Sequence, residues 1–519
     1  MPLDVPSYSF ALPEGVDPPT LVSFLAERLD IVAEPGSPLT YAVVDTADRR
    51  LGAAGLDLAL ELGRNERTLV LREQGAAGPV TARAGRRKRW LVGDLPAGPL
   101  RDRLAPVVEM RALLPLAQVQ VEVQSLAVRN ADLKTVVRMR LATHAALDTG
   151  GTPVPIAPRL EVTGVLGYPK PLARVVAVLS TEAGLVDAPA SPADEAIAAS
   201  GGDPEGIRTK VRVDLRPDQR TDKAAVAVLR DLAGMVEANL PGTLADLDTE
   251  FLHDLRVAVR RSRTVLRELA GAFPPEPLKQ QRDNLKWLQA FTGPTRDLDV
   301  QLLEWHHLLS AVPAERHAAL APVRTLLERR RAGALRSLKA ELRGPSYRQA
   351  WAAYRAFLDG DLGPARERPD ARRPIAEVAG RRIRKVYARM VEMGAAIDAD
   401  SPADDLHELR KRGKELRYLL ELFGGLWRSS VVKPMVRSLK GLQDVLGTHQ
   451  DREVQSDHLR DLADELATQV GGPPALLVLG VLVDQLDAEQ RAARDQFADR
   501  FADFAAPKQR KQVARTFVP

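Results

Sequence analysis

The sequence predicts two unlike domains in series: an α+β domain built on one antiparallel sheet or barrel, then an all-α domain with an internal duplication. Up to about residue 186, short apolar stretches with β-branched residues are separated by turns, and several alternate apolar and polar residues as half-buried strands do. From about Thr221 onward, Ala, Leu, Arg and Glu dominate in a helical pattern almost to the end.

The element pattern also sets the expected domain boundaries. The strand-like stretches lie at residues 39–46, 56–63, 67–73, 89–95, 117–128 and 135–144, and residues 21–29 and 171–184 have helical patterns. The stretch from 187 to about 206 is polar and rich in Ala, Pro and Gly, as linkers are. We therefore predict an α+β domain over 1–186, a linker over 187–220, a helical domain over 221–505 with halves at about 221–360 and 375–505, and a basic tail over 506–519.

Composition excludes several kinds of site. The chain has 519 residues, no cysteine and a formal charge of only +5, so thiolate chemistry is excluded and an anion site must come from local charge placement. We see no signal-peptide pattern at the start, and the longest apolar run, 475–483, is too short to cross a bilayer and is followed by Asp484. The expectation is a soluble cytoplasmic protein without a membrane partner.

An internal duplication is the strongest signal in the sequence. An offset of 154 residues places His253 on His407 and gives 15 identities in the 49 positions from 252 to 300 without a gap. Unrelated sequence of this composition would give roughly three or four, so a repeat is the better interpretation. Basic residues are also paired by this offset: Arg256 with Arg410, Arg260 with Lys414, Arg263 with Arg417, Lys286 with Lys440 and, upstream, Arg230 with Arg384.

The cations of each copy fall on one helical face. At about 100° per residue, and with His253 as zero, Arg260, Arg267, Arg256 and Arg263 lie near 340°, 320°, 300° and 280°, a stripe roughly 80° wide. Leucines and valines occupy the adjoining face. The second copy repeats the stripe with His407, Arg410, Lys414 and Arg417, but Glu421 stands where Arg267 does, so the second stripe is shorter.

Such stripes predict a polyanion surface. Like charges spaced by three and four residues repel by a few tenths of a kcal/mol per pair, and a bound polyanion would replace that repulsion with charge-assisted hydrogen bonds of about 1.5–3 kcal/mol each before desolvation. A solvated helix face is the alternative, and two matching copies favour the anion surface over it. A further basic run at 380–389 precedes the second histidine helix.

The histidines and nearby acids leave other interpretations open. Both histidines follow acidic turns, so a place in the first turn of a helix, without any ligand, is an alternative for each. A metal site is disfavoured because no cluster with ligand spacing accompanies either histidine. The pairs Asp297/Asp299 and Asp451/Glu453 would suit an acid/base or metal couple, but we prefer a helix cap or a partner that fixes the arginines. No catalytic residue, metal or cofactor is assigned.

The two histidine segments, 253–263 and 407–418, together with 288–300 and 442–454, resemble the CHAD family, the conserved-histidine α-helical domain. The resemblance covers roughly 221–505. It implies two four-helix bundles related by a pseudo-twofold axis, with a basic groove that holds inorganic polyphosphate. Gln450 stands where the first copy has Arg296, so we expect the second half of the groove to be weaker there.

Residues 43–60 resemble, more weakly, a strand and helix segment of the CYTH domain, the triphosphate-tunnel fold often fused to CHAD. Catalytic CYTH members carry an ExExK signature before a Phe, and alignment on Phe10 puts Val5, Ser7 and Ser9 at those positions. Leu58, Leu60, Gln118 and Gln120 stand where tunnel cations are expected. Because Mg²⁺ needs carboxylates and a phosphate tunnel needs cations, the resemblance implies a pseudoenzyme that serves as a structural or partner-binding module.

Three functions follow as hypotheses. The first is non-enzymatic binding of inorganic polyphosphate, with targeting of the protein or a partner to polyphosphate granules. The second is a metal-dependent triphosphatase in the N-terminal domain, which would need carboxylates such as Glu61, Glu73 or Glu122. The third, nucleic-acid binding, is disfavoured because only 4% of residues are aromatic and none interleave with the basic stripes.

Overall fold

The chain divides into two compact units, Met1–Thr209 and Lys210–Pro519. The computed structural model describes residues 7–13, 15–35, 37–63, 66–73, 79–188 and 191–517. The boundary between the units falls inside the stretch expected to be a linker. Among the described residues, none of the helices combines the length and the apolar character that a bilayer crossing requires.

The N-terminal unit is built on one antiparallel sheet. Its strands are β1 (Ser7–Ala11), β2 (Ile31–Ala33), β3 (Ser37–Thr46), β4 (Leu56–Leu62), β5 (Arg67–Glu73), β6 (Val80–Arg83), β7 (Leu113–Arg129), β8 (Thr135–Leu147), β9 (Pro153–Gly164) and β10 (Val186–Asp187). Its helices are α1 (Pro18–Ala26), α2 (Arg50–Ala53), α3 (Pro99–Val108), α4 (Pro169–Ala177) and α5 (Pro192–Ala199).

The sheet is open in the pairing that the described strands show. The order is β10-β1-β9-β8-β7-β3-β4-β5-β6, with β2 added beside β7, and no pairing joins β6 to β10 among the described strands. The antiparallel sheet was predicted, but the expected closure into a barrel is not confirmed. The two ends of the ladder are its short strands, β6 and β10.

Helix α5 forms within the stretch expected to be a linker. Ser191 caps it by accepting a hydrogen bond from the backbone N–H of Ala193 at 3.2 Å. Ala196 and Ile197 are buried in a small core with residues of β3, β7 and β8. The Ala-rich, polar composition of this stretch concealed a helix that docks through two buried apolar side chains, with two alanines packed beside them.

The second unit is mostly helical. Its helices are α6 (Thr221–Ala245), α7 (Thr249–Glu268), α8 (Pro275–Phe291), α9 (Gly293–Leu303), α10 (Trp305–Ser310), α11 (Ala321–Arg343), α12 (Pro345–Asp359), α13 (Ile375–Ala395), α14 (Ala403–Phe423), α15 (Ser429–Arg460), α16 (Ala463–Ala467), α17 (Gly472–Asp495), α18 (Phe497–Phe504) and α19 (Pro507–Thr516).

The two halves of the helical unit share their cores. The largest buried cluster contains Leu255 of the first half and Leu409 of the second, and a smaller cluster joins Trp305 with Leu482. Each core therefore draws apolar side chains from both copies. This sharing is why the expected division into two four-helix bundles is not confirmed, although the mostly helical character is.

The C-terminal stretch, expected to be a basic tail, contains the docked helix α19. Val513 and Phe517 are buried in the main helical core, and the ring of Phe517 lies 4.8 Å from that of Trp427, centroid to centroid. Two apolar side chains among many polar ones are enough to anchor a short helix, and the sequence pattern did not reveal it.

Candidate functional site

Helix α7 carries the first stripe of cations at the edge of its buried face. The Asp248 side chain caps the helix, because it accepts hydrogen bonds from the N–H groups of Glu250 (2.9 Å) and Phe251 (3.2 Å). The histidine and most of the arginines of the stripe are half-buried, whereas Arg267 is exposed. The apolar face that holds α7 on the core consists of Leu252, Leu255, Val259 and Leu266.

The two histidines occupy the same place in their helices. His253 and His407 are each the fifth residue, of α7 and α14 respectively, just beyond the first turn. The ring Nδ1 of His407 is in hydrogen-bond contact with the side chain of Gln450. At the matching position of the first copy, Arg296 donates to the carbonyl of Thr249 at 3.2 Å. Gln450, which replaces the arginine of the first copy and was expected to weaken the groove, thus contacts and positions His407.

Helices α7 and α14 are joined by two equivalent ion pairs. Arg261 lies 2.8 Å from Glu421, and Arg267 lies 3.0 Å from Glu415, nitrogen to oxygen. The repeat offset of 154 places Arg261 on Glu415 and Arg267 on Glu421. Exchange of the two helices therefore maps one ion pair onto the other, which brings the cation stripes of the two copies to a common contact.

Arg260 lies at the centre of this contact. Its guanidinium donates a hydrogen bond of 3.3 Å to the Tyr418 hydroxyl on α14. Its positive charge contributes to lowering the pKa of Arg256 and Arg263 on its own helix and of Lys414 on α14. Cations of both copies are therefore close enough to influence one another.

Arg256 is fixed by neutral oxygen atoms. Its guanidinium donates to the carbonyl of Gln289 at 2.8 Å and to the hydroxyl of Thr292 at 2.7 Å. Burial lowers the pKa of Arg256 to about 10; the charge of Asp297 opposes this shift, and Arg260 and Arg296 add to it. The side chain is thus held in place while its charge is left largely uncompensated.

Arg263 and Lys414 have no ion pair with a carboxylate among the described residues. Burial, then Arg267, Arg260 and Arg282, lower the pKa of Arg263. Burial, then Arg410 and Arg260, lower the pKa of Lys414 to about 8, against the opposing charge of Asp451. We name four side chains the central cation cluster: Arg256, Arg260, Arg263 and Lys414.

Carboxylates neutralise the flanks of the stripes. Arg410 is paired with Asp451 at 2.8 Å, and Arg417 with Glu421 at 2.6 Å. Arg267 contacts Glu268 at 2.7 Å as well as its partner on α14. The positive charge that remains available is therefore concentrated in the central cation cluster, between flanks that are largely paired.

Two acids meet beside that cluster. Glu268 and Glu415 are both buried at the α7–α14 contact. Burial, together with the hydrogen bond and negative charge of Glu268, raises the pKa of Glu415 to about 7, while Arg267 and Arg412 oppose the shift. The contact between the copies thus contains a carboxyl group that titrates near neutral pH.

The remaining predicted site residues lie elsewhere. Arg230 is bound to Asp359 at 3.0 Å and to the carbonyl of Leu358 at 2.9 Å, at the end of α12. Lys286 and Lys440 are exposed on α8 and α15, and Arg384 is half-buried on α13. The hydrogen bonds and ion pairs of the described residues do not connect these four side chains with the central cation cluster.

One acid of each predicted acid pair, Asp299 and Asp451, forms an ion pair with an arginine. Buried Asp299 lies 2.6 Å from Arg331, which also contacts Asp246 at 2.7 Å. Burial raises the pKa of Asp299, against the opposing charge of Arg331. Within the described ranges, no group of three or more His, Asp or Glu side chains is arranged to hold a metal ion.

Sequence reasoning missed several members of this site. Arg261 and Tyr418 lie outside the stripe, yet both connect the copies. Arg282 of α8 contributes to the field at Arg263. One signal in the sequence could have revealed the contact between the copies. Glu421 is an acid at a position where the first copy has an arginine, and it forms an ion pair with Arg261 of that copy.

The N-terminal unit has a separate cavity of about 170 Å³ on one face of its sheet. Three arginines and three acids line it, and two pairs are in contact, Arg72–Glu61 at 3.0 Å and Arg140–Glu161 at 3.4 Å. Burial, then the charge of Asp194, raise the pKa of Asp57. The charged lining residues are Arg72, Arg140, Arg159, Asp57, Glu61 and Glu161.

This lining corrects the positions expected to form a tunnel. Leu60 is buried in the core on the other face, and Gln118 and Gln120 are exposed; of the four residues named, only Leu58 borders the cavity. Strands alternate their side chains between faces, so the cavity is lined by the neighbouring odd-numbered residues of β4 and β7 instead. Ser7 and Ser9 are exposed on β1, and Val5 lies outside the described residues.

Of the three carboxylates named for a triphosphatase, one lines the cavity and the other two do not. Glu61 lines the cavity, but Glu73 is paired with Arg103 and Glu122 is exposed. Glu122 lies between Val121 and Val123, which do line the cavity, so alternation directs it to the opposite face.

Part of this chain is similar to known proteins. Two curated proteins of Mycobacterium tuberculosis, uncharacterized protein MT2285 (strain CDC 1551 / Oshkosh) and uncharacterized protein Rv2226 (strain ATCC 25618 / H37Rv), are each 27% identical over 211 residues, which is 40% of this chain. The chain spans only 39% of the length of these relatives.

Two solved structures are also similar to part of this chain. A crystal structure of the CHAD domain from the plant Ricinus communis has a TM-score of 0.49 and 23% identity, and covers 57% of this chain and 96% of its own. PptA from Streptomyces chartreusis has a TM-score of 0.44 and 18% identity, and covers 55% of this chain and 99% of its own. The CHAD domain family model matches residues 227–460, so the helical unit of this chain contains a CHAD domain.

Proposed function

We propose that the helical unit binds inorganic polyphosphate without chemical conversion. The observation that carries this proposal is the central cation cluster, in which cations of both copies lie together without carboxylate ion pairs among the described residues. Burying like charges together opposes their ionisation, as the lowered pKa values of Arg256, Arg263 and Lys414 indicate. A bound polyanion would relieve this repulsion.

The layout favours an extended ligand over a single phosphate. Arg256 and Arg263 are both on α7, and at 1.5 Å per residue they are separated by about 10 Å along its axis. Lys414 adds a cation from α14 to this row. Arginine also suits phosphate because its planar fork donates two hydrogen bonds at once.

Polyphosphate fits this surface better than a nucleic acid does. Single-stranded nucleic acids bind on exposed aromatic side chains that stack with the bases. The aromatic residue that contacts the central cation cluster, Tyr418, has only 7% of its surface exposed. Its hydroxyl reaches Arg260, but its ring is not available for stacking.

Competition binding with the full chain tests the proposal. The affinity for medium-length polyphosphate is measured at fixed salt, with DNA and RNA of equal charge as competitors, and the polyphosphate titration is then repeated at rising salt. We expect polyphosphate to displace both nucleic acids and its affinity to fall steeply with salt, since counterion release drives such binding. Equal affinity for all three polyanions would reject the assignment.

The cellular role that follows is targeting of this protein, or of a partner, to polyphosphate granules in the cytoplasm. The N-terminal unit would then serve as a CYTH-like structural module or bind a protein partner. Microscopy of the tagged chain, with and without intact central cations, tests this role. Co-localisation with granules that survives removal of those cations would exclude it.

The second candidate function is a triphosphatase in the N-terminal unit. The sheet cavity favours it, because Arg72, Arg140 and Arg159 would bind phosphate oxygens while Glu61 and Glu161 would bind Mg²⁺. Phosphate release from tripolyphosphate with Mg²⁺ or Mn²⁺ decides between the two. Release that is lost in the variant Glu61→Gln would establish this candidate, and our first proposal expects none.

A further inference from the structure

The helical unit also contains a groove whose lining includes several cations. The groove, of about 600 Å³, is lined by α15 together with the end of α17 and the start of α18. We name it the α15 groove. Its lining includes Arg437, Lys440, Gly441, Asp444, Glu489 and Arg500.

Gly441 removes a side chain that the first copy retains. The repeat offset places Gly441 on Trp287, whose indole packs on the helical core with its centroid 4.6 Å from that of Phe291. A Cβ at residue 441 would meet only the Cδ atom of Arg500, at 3.9 Å, which is an ordinary van der Waals contact. The second copy therefore has open space beside α15 where its counterpart bears a bicyclic aromatic ring.

The groove also differs from the matching part of the first copy in its charged residues. Arg437 stands where the first copy has Asp283, and Asp444 where it has Ala290. Arg437, Lys440 and Arg500 have no ion pair among the described residues. Three cations thus border a space that the first copy does not offer.

The two acids of the groove differ in availability. Glu489 is engaged, because its carboxylate lies 2.6 Å from Arg452 and accepts a hydrogen bond from Gln485 at 3.2 Å. Asp444 forms no ion pair among the described residues, and its charge contributes to raising the pKa of Arg417. A free carboxylate repels bare phosphate but accepts hydrogen bonds from hydroxyl groups.

We propose that the α15 groove binds a nucleoside polyphosphate. Arg437, Lys440 and Arg500 bind its phosphates, Asp444 accepts hydrogen bonds from the ribose, and the base occupies the space beside Gly441. This assigns Lys440 to the groove instead of to the polyphosphate surface, where the sequence had placed it. The assignment does not depend on the central cation cluster.

Calorimetric titration tests the groove in the full chain carrying Arg260→Ala and Lys414→Ala, which removes two of the four cations of the central cation cluster and weakens anion binding there. The probes are ADP and inorganic pyrophosphate at the same salt concentration. We expect ADP to bind at least about tenfold more tightly than pyrophosphate, since only ADP has a base and a ribose. Absence of ADP binding, or equal affinity for the two probes, would overturn the proposal.

Two variants locate the binding. Gly441→Trp restores the ring of the first copy and should abolish ADP binding, and Arg437→Asp restores its acid and should weaken ADP binding at least about tenfold. Arg336→Ala, an exposed cation of α11 without an ion pair among the described residues, is the matched control. If Gly441→Trp does not fold, Arg437→Asp decides; unchanged affinity in that variant overturns the site.

Polyphosphate binding by Gly441→Trp, measured in the otherwise native chain, separates the two proposals. We expect it to equal that of the native protein. A loss of ADP binding with retained polyphosphate binding supports the groove as a separate site, whereas parallel loss of both ligands would mean that there is one shared surface and would overturn the inference.

Discussion

Arg261 and Glu421 form an ion pair of 2.8 Å that Arg267 and Glu415 repeat at 3.0 Å with the roles of the two helices exchanged. Both positions are arginine in the first copy and glutamate in the second. Identical copies would have placed like charges opposite each other at both contacts. Divergence to opposite signs converts this repulsion into attraction and brings the two cation stripes together.

Reversal of one of these charges should destabilise the helical unit. Arg261→Glu places a second carboxylate opposite Glu421 in a partly buried contact, and we expect a loss of about 1–2 kcal/mol in the free energy of unfolding. The charge-swapped double variant Arg261→Glu, Glu421→Arg should recover more than half of that loss. Chemical denaturation of the four proteins of the cycle measures the coupling.

The control for this cycle is the exposed pair Arg324–Glu328 on α11, where the same swap should change the free energy of unfolding by less than about 0.5 kcal/mol. Strictly additive effects of Arg261→Glu and Glu421→Arg would show that the ion pair does not hold the copies together.

Removal of Arg260 and Lys414 should weaken polyphosphate binding about 10- to 100-fold, since two charge-assisted contacts are lost. The dependence of affinity on salt should also become shallower, because fewer counterions are released. Neither residue forms an ion pair among the described residues, so circular dichroism and the melting temperature should stay close to those of the native chain.

Arg336→Ala with Lys511→Ala, two exposed cations of α11 and α19, is the control for total charge. We expect less than about a threefold change in affinity for that variant. Equal losses in both double variants would indicate binding to net charge and would argue against a defined site.

Lys414 should make polyphosphate binding depend on pH. Its pKa of about 8 lies below the ordinary 10.5, so the free side chain loses its proton as the pH rises through 8, whereas a bound polyanion keeps it protonated. Affinity should therefore fall above pH 8, with proton uptake on binding that calorimetry in two buffers detects. In Lys414→Arg the fall between about pH 7.5 and 9 should disappear, because arginine stays protonated throughout that range; persistence of the same slope would contradict this role.

Glu415 should make stability depend on pH in the opposite sense from an ordinary ion-paired acid. Its pKa rises from 4.5 to about 7 on folding, so the folded state binds more protons in that interval. The contribution of this residue to the free energy of unfolding should therefore be fully present below about pH 4.5 and be lost as the pH rises through about 7.

Glu268→Gln tests that dependence. The amide removes a neighbouring negative charge and can donate a hydrogen bond to ionised Glu415, which lowers its pKa toward the ordinary value. The melting temperature should then vary less between about pH 5 and 8 than in the native chain. Glu328→Gln, an exposed acid of α11, should leave the profile unchanged, and a profile unaffected by Glu268→Gln would refute the contribution of Glu268 to the raised pKa of Glu415.

Local patterns were sufficient for the broad architecture. Alternating apolar and polar residues predicted the antiparallel sheet, and apolar residues at helical spacing predicted the helical unit. Both patterns arise because one side of each element faces a core. Docked elements with few apolar residues were missed: α5 rests on Ala196 and Ile197, and α19 on Val513 and Phe517. Two buried side chains do not produce a periodic signal.

The sequence pattern also did not predict which face of the sheet borders the cavity. A shift of one residue exchanges the two faces of every strand. The alternation of β4 and β7 is clear in the sequence, and Leu58 and Leu60 were both expected at the cavity. Leu60 is buried in the core instead, and Ala59 and Glu61 line the cavity beside Leu58. Both faces of β4 are partly covered, so hydrophobicity alone does not identify which of them borders the cavity.

The duplication, the shared histidine positions and the arginine-rich face of α7 follow from the sequence, because repeats and helical periodicity are properties of the chain itself. Tertiary structure decided which of those cations stay uncompensated. Glu421 is 160 residues from Arg261 in sequence, and Asp451 lies on a different helix from Arg410. Only folding brings each acid beside its arginine. Electrostatic energy depends on distance in space, and sequence separation does not report that distance.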